Sequence, residues 1–215
     1  MRLRNIPGAQ EAVAAHPLCD SDETPLAGQW SGIFNNAHPL YLEIGTGKGQ
    51  FLVTLASQYP ERNFVGIEMF DSVLVRALQR VDASDPPLAN IRFLRMNAEN
   101  VCAMFAPGEV AHIYLNFSDP WPKERHAKRR LTSARYLERY DRILAPDGQI
   151  EFKTDNQDLF RFSLEQAEEA GWTLLACTCD LHYDEELSAG NVMTEYEERF
   201  TREGKPIYKL ILSRD

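Results

Sequence analysis

Short apolar runs alternate with amphipathic segments from residue 40 to the C-terminus, and this alternation restricts the fold more than any other feature. Strands that alternate with helices of about 10–15 residues form a parallel sheet with right-handed crossovers. The last two runs are spaced more like a hairpin, which predicts an antiparallel last strand. We therefore predict an α/β fold with helices on both faces of a mostly parallel seven-stranded sheet, whose strands are residues 40–44, 63–68, 91–96, 111–117, 149–154, 172–181 and 205–213.

The first 38 residues lack this periodicity and are rich in proline and glycine. They predict an irregular N-terminal arm, residues 1–38, in front of a single domain, residues 39–215. A short helix near Ala9–Ala15 is the one regular element expected in the arm. Trp30 and Phe34 are expected to fix the end of the arm to the core.

The composition is ordinary for a globular protein, with 44% hydrophobic and 26% charged residues. No apolar run approaches the roughly 20 residues that a membrane span needs, and the N-terminus does not resemble a signal peptide. Four scattered cysteines do not suggest a disulfide framework, and Cys177 and Cys179 are expected to be buried free thiols rather than metal ligands. These features predict a cytoplasmic protein.

The charge is strongly polarised along the chain, although the formal net charge of −9 at first argues against a nucleic-acid partner. Residues 120–142 contain eight Lys or Arg and three acids, whereas residues 151–200 contain thirteen acids and three Lys or Arg. A solvated helix face can have such a composition. The clustering of Lys128, Arg129 and Arg130 beside a proline-rich loop favours an anion-binding surface.

A glycine-rich segment, EIGTGKG at residues 43–49, follows the first predicted strand. Its glycines allow a tight turn and let a ligand approach the backbone of Gly45 and Gly47. It is neither a dinucleotide fingerprint, which would need a glycine at Gln50, nor a Walker A loop, because Lys48 is not followed by Ser or Thr. Glu68 ends the second strand, where a carboxylate suits a ribose diol.

That geometry serves NAD and S-adenosylmethionine alike, and three features favour S-adenosylmethionine. No helix N-terminus is arranged for a pyrophosphate. Glu43 would repel phosphates but attract a cationic amino group. Asn97 follows the third strand, where it could bind an adenine edge. Both residues could instead have structural roles without a ligand. Glu43 could be a surface acid at the end of the strand, and Asn97 could be a turn residue or a helix cap.

The fourth apolar run stops at Ser118-Asp119, and a stiff Pro-Trp-Pro segment then leads into the basic stretch. A buried strand thereby delivers the carboxylate of Asp119 to the boundary between the predicted cofactor site and a cationic surface. Trp121 could stack on a nucleobase that leaves its helix. It could equally pack between Pro120 and Pro122.

With these motifs the sequence resembles the bacterial tRNA (guanine-N7-)-methyltransferases, a family of the class I, Rossmann-like methyltransferase superfamily. The resemblance runs from about residue 40 to the C-terminus. Many methyltransferases share the glycine-rich block, whereas the basic block is highly specific. The matching segments are EIGTGKG, NFVGIE, NAEN, SDPWPKERHAKRRL, KTDN and TEYEERF.

The resemblance implies an S-adenosylmethionine-dependent enzyme that methylates a guanosine in the tRNA variable loop, at position 46 of the tRNA. It implies tRNA as partner. We expect no metal, and the sequence leaves open whether the protein is a monomer or a homodimer. The residues that it implies for the cofactor are Glu43, Glu68, Asn97 and Asp119, with Asp119 also catalytic. The backbone of Gly45 and Gly47 is expected to contact the cofactor as well, because of the turn that they form. Those implied for the nucleoside are Lys123, Asp155, Thr194 and Glu197, and those for RNA are Arg125, Lys128, Arg129 and Arg130.

The C-terminal candidates could instead serve the local structure of the chain. Asp155 could cap the helix that begins near Asn156, and Thr194 with Glu197 has the spacing of a capping box. Two other functions also stay open. The protein could methylate another RNA guanine, or it could bind tRNA without catalysis.

Overall fold

The computed structural model describes residues 6–214, which form eight strands and nine α-helices. The strands are β1 (Cys19–Ser21), β2 (Leu40–Ile44), β3 (Asn63–Glu68), β4 (Ile91–Arg95), β5 (Val110–Asn116), β6 (Leu144–Thr154), β7 (Thr173–Thr178) and β8 (Tyr208–Ser213). The helices are α1 (Ala9–Ala14), α2 (Trp30–Phe34), α3 (Gln50–Gln58), α4 (Asp71–Asp82), α5 (Val101–Met104), α6 (Ala134–Ile143), α7 (Gln157–Glu169), α8 (Glu185–Ser188) and α9 (Glu195–Arg202). None of the helices in this part of the chain combines the length and apolarity needed to cross a membrane.

The strands form one sheet in the order β1-β4-β3-β2-β5-β6-β8-β7. Pairs among β1 to β6 are parallel, and β8 is antiparallel to both β6 and β7. This confirms the α/β fold and the antiparallel last strand. The strand order reverses between β2 and β5, and open α/β sheets bind ligands at such a switch point.

The predicted number of strands was one too small, because the arm contributes β1. This strand pairs in parallel with β4, and the backbone N–H of Phe93 donates to the carbonyl of Leu18 at 2.8 Å. Three residues carry no periodicity from which a strand could be predicted. The described part of the arm is therefore more regular than expected, with α1, β1 and α2 in succession; its residues 1–5 lie outside the described residues.

Two apolar cores lie on opposite faces of the sheet. Successive side chains of a strand point to opposite faces, so Phe64 of β3 packs with α1, α3 and α4, while Val65 packs with α2, α5, α6 and α7. Trp30 confirms the anchoring of the arm, since its indole N–H donates to the carbonyl of Met104 at 2.8 Å and its ring stacks on Phe105.

The expectation of buried thiols at Cys177 and Cys179 is wrong, because both residues are exposed. Cys177 belongs to β7, which is the edge strand of the sheet, and Cys179 follows it. Leu174 and Leu175 in the same strand are also more than 40% exposed, at 43% and 48%. An edge strand that few elements cover leaves side chains on both of its faces in contact with solvent.

Candidate active site

The glycine-rich segment turns sharply between β2 and α3. Gly45 and Gly47 have positive φ angles of 81° and 56°, and no atom lies within 4 Å of where their Cβ atoms would be. Their backbone is thus accessible from the carboxyl end of the sheet, as a ligand-binding turn requires. Gly49 differs, because a Cβ there would lie 2.8 Å from the Cβ of Ala77 in α4. This third glycine permits close packing of α3 against α4.

Glu43, near the end of β2, is buried, with only 2% of its surface exposed. Its carboxylate accepts hydrogen bonds from the hydroxyl of Thr46 at 2.8 Å and from the amide nitrogen of Asn116 at 2.9 Å. Burial raises the pKa of Glu43 to about 7, although the bonds from Asn116 and Thr46 oppose the rise. The alternative of a surface acid is therefore wrong.

Glu68, at the end of β3, joins two loops of the site. One carboxylate oxygen accepts from the backbone N–H groups of Met69 and Phe70, at 2.9 and 3.1 Å. The other accepts from the backbone N–H of Gly47 at 3.2 Å. Burial raises the pKa of Glu68, and the nearby charge of Asp119 adds to the rise. The structure thus brings Glu43, Glu68 and Asp119 to one end of neighbouring strands.

Asn97 is exposed after β4 and caps a short 3₁₀ helix, Ala98–Asn100. Its side-chain oxygen accepts from the backbone N–H of Glu99 at 3.0 Å. The alternative of a helix cap is confirmed. The cap uses only the amide oxygen, so the predicted contact with an adenine edge is compatible with it and stays a prediction.

Two polar side chains at the end of β5 were not predicted as part of the site. Asn116 donates to Glu43, but its side-chain oxygen is buried without a hydrogen-bond partner among residues 6–214, as is the hydroxyl of Ser118. Buried polar atoms are nearly always paired, so an unpaired oxygen on the residue that binds Glu43, with an unpaired hydroxyl two positions further on, indicates a place for a polar ligand. Both residues stand in the segment NFSD, where the apolar run turns polar.

The segment after β5 has a strained backbone. Phe117 and Trp121 adopt left-handed conformations, with φ angles of 50° and 42°. Such conformations are uncommon for aromatic residues and gather at functional sites. Asp119 lies between them and is exposed. Trp121 contacts the edge of His126, and the guanidinium of Arg129 lies 5.0 Å over its ring.

The basic residues after this segment divide into two groups. Four of them are exposed, as an anion-binding surface requires, namely Lys123, Arg125, Lys128 and Arg129. Arg130 is only 9% exposed, and its guanidinium donates to the carbonyls of Pro120 at 3.0 Å and Trp121 at 3.1 Å. It also lies 4.2 Å over the ring of Phe162. This placement departs from the prediction that Arg130 contacts RNA, because its donors face the protein interior.

Thr194 and Glu197 also have roles within the fold. The hydroxyl of Thr194 accepts from the backbone N–H of Glu197 at 3.0 Å and so caps α9, as the spacing predicted. Glu197 does not complete a capping box. It is fully buried, and its two oxygens accept from Lys153 at 2.8 Å and Asn191 at 2.6 Å. Direct contact of Glu197 with a nucleoside, which the resemblance implies, is at odds with this burial.

Lys153 of β6 is a third residue that was not predicted as part of the site. Its side chain is fully buried, and its ammonium donates to Glu197, to the carbonyl of Val192 and to the side-chain oxygen of Asn191. The sequence carried no clear signal for this burial, because residues 149–153 alternate polar and apolar side chains and Lys153 shares its phase with Gln149 and Glu151. Lysine is almost never fully buried unless it is paired, and here the paired groups come from the distant segment 191–197.

Asp155 follows β6 and is partly exposed, with Lys205 3.6 Å away. The alternative that Asp155 caps α7 is wrong, because Asn156 caps this helix by accepting from the backbone N–H of Leu159 at 2.8 Å. The carboxylate of Asp155 is therefore not used by the helix. It lies at the carboxyl end of β6, the strand next to β5.

Helix α9 is bound to the glycine-rich turn. Glu195 accepts from Lys48 at 2.7 Å and from Arg80 at 2.8 Å. One turn further along α9, Glu198 accepts from Gln50 at 2.8 Å. The helix that carries Thr194 at its start thus lies directly against the turn that contains Gly45 and Gly47, and the two predicted halves of the site adjoin.

Comparison with known proteins fits this arrangement. A family model described as "Putative methyltransferase" matches residues 37–210. A solved structure of an antibiotic-related methyltransferase superposes with a TM-score of 0.66 and 15% identity, covering 87% of this chain and 93% of that one. At this identity the likeness concerns the fold. The fold and the family model together define a methyltransferase.

Two curated relatives carry the name tRNA (guanine-N(7)-)-methyltransferase. The protein from Lachnoclostridium phytofermentans is 51% identical over 215 residues, covering 100% of this chain and 99% of its own. The one from Geobacillus thermodenitrificans is 49% identical over 210 residues, covering 97% and 95%. The chain belongs to the tRNA (guanine-N(7)-)-methyltransferase family, which confirms the resemblance.

Proposed function

We propose that this protein transfers the methyl group of S-adenosylmethionine to N7 of a guanosine in the tRNA variable loop, at position 46. The observation that carries the proposal is the position of Asp119. Asp119 follows β5, which pairs with β2, the strand that carries Glu43, and its exposed carboxylate begins the segment that leads into the basic surface. One residue thereby adjoins both the cofactor site and the tRNA-binding face.

The residues at the end of β2, β3 and β5 fit S-adenosylmethionine. Gly45 and Gly47 leave their backbone open to a ligand. Glu68 would accept from the ribose hydroxyls, since a carboxylate has more acceptor sites than its three backbone bonds use. Glu43 and the unpaired oxygen of Asn116 offer acceptors for an ammonium group. When bound, the cofactor would supply a methyl group on a positively charged sulfonium.

Methyl transfer to guanine N7 requires mainly that the protein orient the base and the methyl donor. Guanine N7 has a free lone pair in the plane of the base, so no side chain needs to remove a proton before the bond forms. The N–CH₃ bond forms as the S–CH₃ bond breaks, the sulfur leaves as a neutral thioether, and the positive charge passes to the purine. Asp119 would stabilise this charge or hold the N1–H and N2–H₂ donors of the base.

The exposed cations after Asp119 would hold the tRNA. Planar guanidinium groups, as in Arg125 and Arg129, suit phosphate oxygens, while the point charges of Lys123 and Lys128 suit single acceptors. Binding through such contacts weakens with salt, because the tRNA releases counterions when it binds. A tRNA substrate also supports the cytoplasm as the place of action.

The decisive experiment uses tRNA that lacks N7-methylguanosine, purified protein and methyl-labelled S-adenosylmethionine. Reduction and aniline treatment cut RNA at N7-methylguanosine, so a cut in the variable loop is expected. Label without any cut would indicate another atom, a cut elsewhere would indicate another guanine, and tRNA binding without label would indicate a non-catalytic protein. Asp119→Ala should remove most of the rate, whereas Asp147→Ala, at an exposed position near the start of β6, serves as the matched control.

A further inference from the structure

We propose that Arg130 is a positioning residue, which fixes the segment Asp119–Pro122 from inside the protein and does not contact RNA. The inference rests on the proposed function, because it concerns the placement of Asp119 for methyl transfer. Arg130 follows directly after two exposed basic residues, Lys128 and Arg129, yet it alone of the three is buried. The sequence pattern does not distinguish the roles of these neighbouring basic residues, whereas their burial and contacts do.

The segment needs an external brace. Trp121 adopts a left-handed conformation, with a φ of 42°, which persists only when its surroundings hold it. Pro120 and Pro122 flank it, and proline has no backbone N–H with which a turn could stabilise itself. Between the two prolines only Trp121 keeps a backbone N–H, so most of the polar atoms of the segment are carbonyl oxygens. A donor from elsewhere in the fold can therefore brace the segment through these carbonyls.

Arg130 supplies that donor in a geometry that fits two peptide units at once. Its Nε and Nη2 groups donate to the carbonyl oxygens of Pro120 and Trp121, at 3.0 and 3.1 Å. These two carbonyls belong to the peptide units on either side of Trp121, so both planes are fixed. Asp119 is joined directly to Pro120, and its backbone direction is fixed with them. A planar guanidinium has donors in a fixed fork, whereas an ammonium has not.

The other side of Arg130 is anchored to the rigid fold. The guanidinium lies 4.2 Å over the ring of Phe162, which belongs to α7. The Arg130 backbone is also held, since its N–H donates to Ala127 and its carbonyl accepts from the N–H of Ser133, both at 3.0 Å. The chain of contacts from α7 through Arg130 thus ends on the two peptide units beside Asp119.

Arg129 provides the matched comparison. It contacts the same Trp121, but its guanidinium lies 5.0 Å over the ring and the side chain is exposed. The two neighbouring arginines should therefore fail in different ways. Loss of Arg129 should weaken the binding of tRNA phosphates. Loss of Arg130 should instead misplace Asp119, while the tRNA stays bound.

The test compares Arg130→Lys and Arg130→Ala with Arg129→Ala, and uses Arg161→Lys, an exposed position on α7, as the control. Because a small misplacement of a reacting group can cost about 100-fold in rate, the Arg130 variants should lose about 10–100-fold in kcat. Their tRNA Kd should stay within about twofold of the wild type at every salt concentration, since no phosphate contact is removed. Arg129→Ala should instead raise Kd and lower the slope of log Kd against log salt by about one.

Two further measurements separate positioning from a general loss of structure. Methylguanidinium should restore part of the kcat of Arg130→Ala, whereas ethylammonium should not, since only the former has the planar donors. NMR relaxation of the backbone amides of Asp119 and Trp121 should show motion of larger amplitude in the Arg130 variants than in Arg129→Ala. A higher Kd with a smaller salt slope in the Arg130 variants, or an unchanged kcat, would overturn the inference. If the wild type transfers no methyl group, the proposed function fails, and the relaxation measurement alone still decides the role of Arg130.

Discussion

The buried pair of Lys153 and Glu197 predicts a large loss of stability when either charge is removed. Neither side chain has any exposed surface, and Nζ lies 2.8 Å from the carboxylate. All three ammonium donors are used, because Nζ also donates to Asn191 at 2.9 Å and to the carbonyl of Val192 at 3.0 Å. Lys153→Met would leave the buried Glu197 carboxylate without the ammonium, and the partly exposed ring of His182, 3.4 Å away, would be its remaining ion-pair contact.

Removing one partner of such a pair costs about 3–5 kcal/mol, because the remaining charge stays uncompensated. That is a large share of the roughly 5–15 kcal/mol by which domains are stable. With a urea slope of about 1–3 kcal/mol per M, the unfolding midpoint should fall by about 2 M. The single variants are Lys153→Met and Glu197→Leu. The double variant Lys153→Met/Glu197→Leu should lose much less free energy of unfolding than the two single variants lose in sum, since neither charge of the pair is left buried.

Urea unfolding followed by circular dichroism measures all three variants in a double-mutant cycle. The matched control is the exposed i,i+4 pair of Glu138 and Arg142, whose side chains are 65% and 63% exposed. Removing either of these should cost no more than about 0.5 kcal/mol. Losses at Lys153 and Glu197 as small as in this control, or single losses that simply add, would refute the reasoning.

Two further predictions concern the glycine-rich segment, residues 43–49. Burial raises the pKa of Glu43 from 4.5 to about 7. The folded state therefore holds an extra proton between these values, and the free energy of unfolding should fall as pH rises from about 5 to about 8, by at most about 3 kcal/mol. Urea unfolding at both pH values measures this. The slope should shrink in Glu43→Gln, where Glu68, whose pKa burial also raises, keeps part of it, and an undiminished slope would contradict the prediction. The second prediction concerns Gly49→Ala, which places a Cβ 2.8 Å from the Cβ of Ala77 at a φ of 77°. The matched control is Gly108→Ala, where φ is 74° but no atom lies within 4 Å of the added Cβ. Gly49→Ala should therefore lower the free energy of unfolding by about 1–3 kcal/mol more than the control. Thermal unfolding measures the difference, and Ala77→Gly should remove part of it.

Much of the sheet could be predicted because its signal is local. Central strands such as β3 and β5 are apolar on both faces, and the helices between them have one apolar face, so each segment indicates its own structure. β1 has no such signal, because its three residues become a strand only through pairing with β4. The exposure of Cys177 likewise depends on which strand ends the sheet.

The candidate site divides in the same way. Residue type and position predicted the carboxylates Glu43 and Glu68 and the acid that follows β5, since parallel strands present their ends at one edge. The pattern did not indicate that Glu43 binds Asn116, that Lys153 binds Glu197, or that Arg130 faces inward. Those contacts join residues that are 73, 44 and 10 positions apart in the sequence.

The sequence by itself therefore determined the α/β fold, the family and the residues whose chemistry suits a cofactor and a polyanion. The tertiary structure decided which of those side chains face a ligand and which hold the site together. The physical reason is that periodicity and charge act along the chain, whereas burial and hydrogen bonding depend on neighbours brought together by folding. Arg129 and Arg130 are equal in charge and adjacent in sequence, yet one is exposed and the other is enclosed between Phe162 and the backbone beside Asp119.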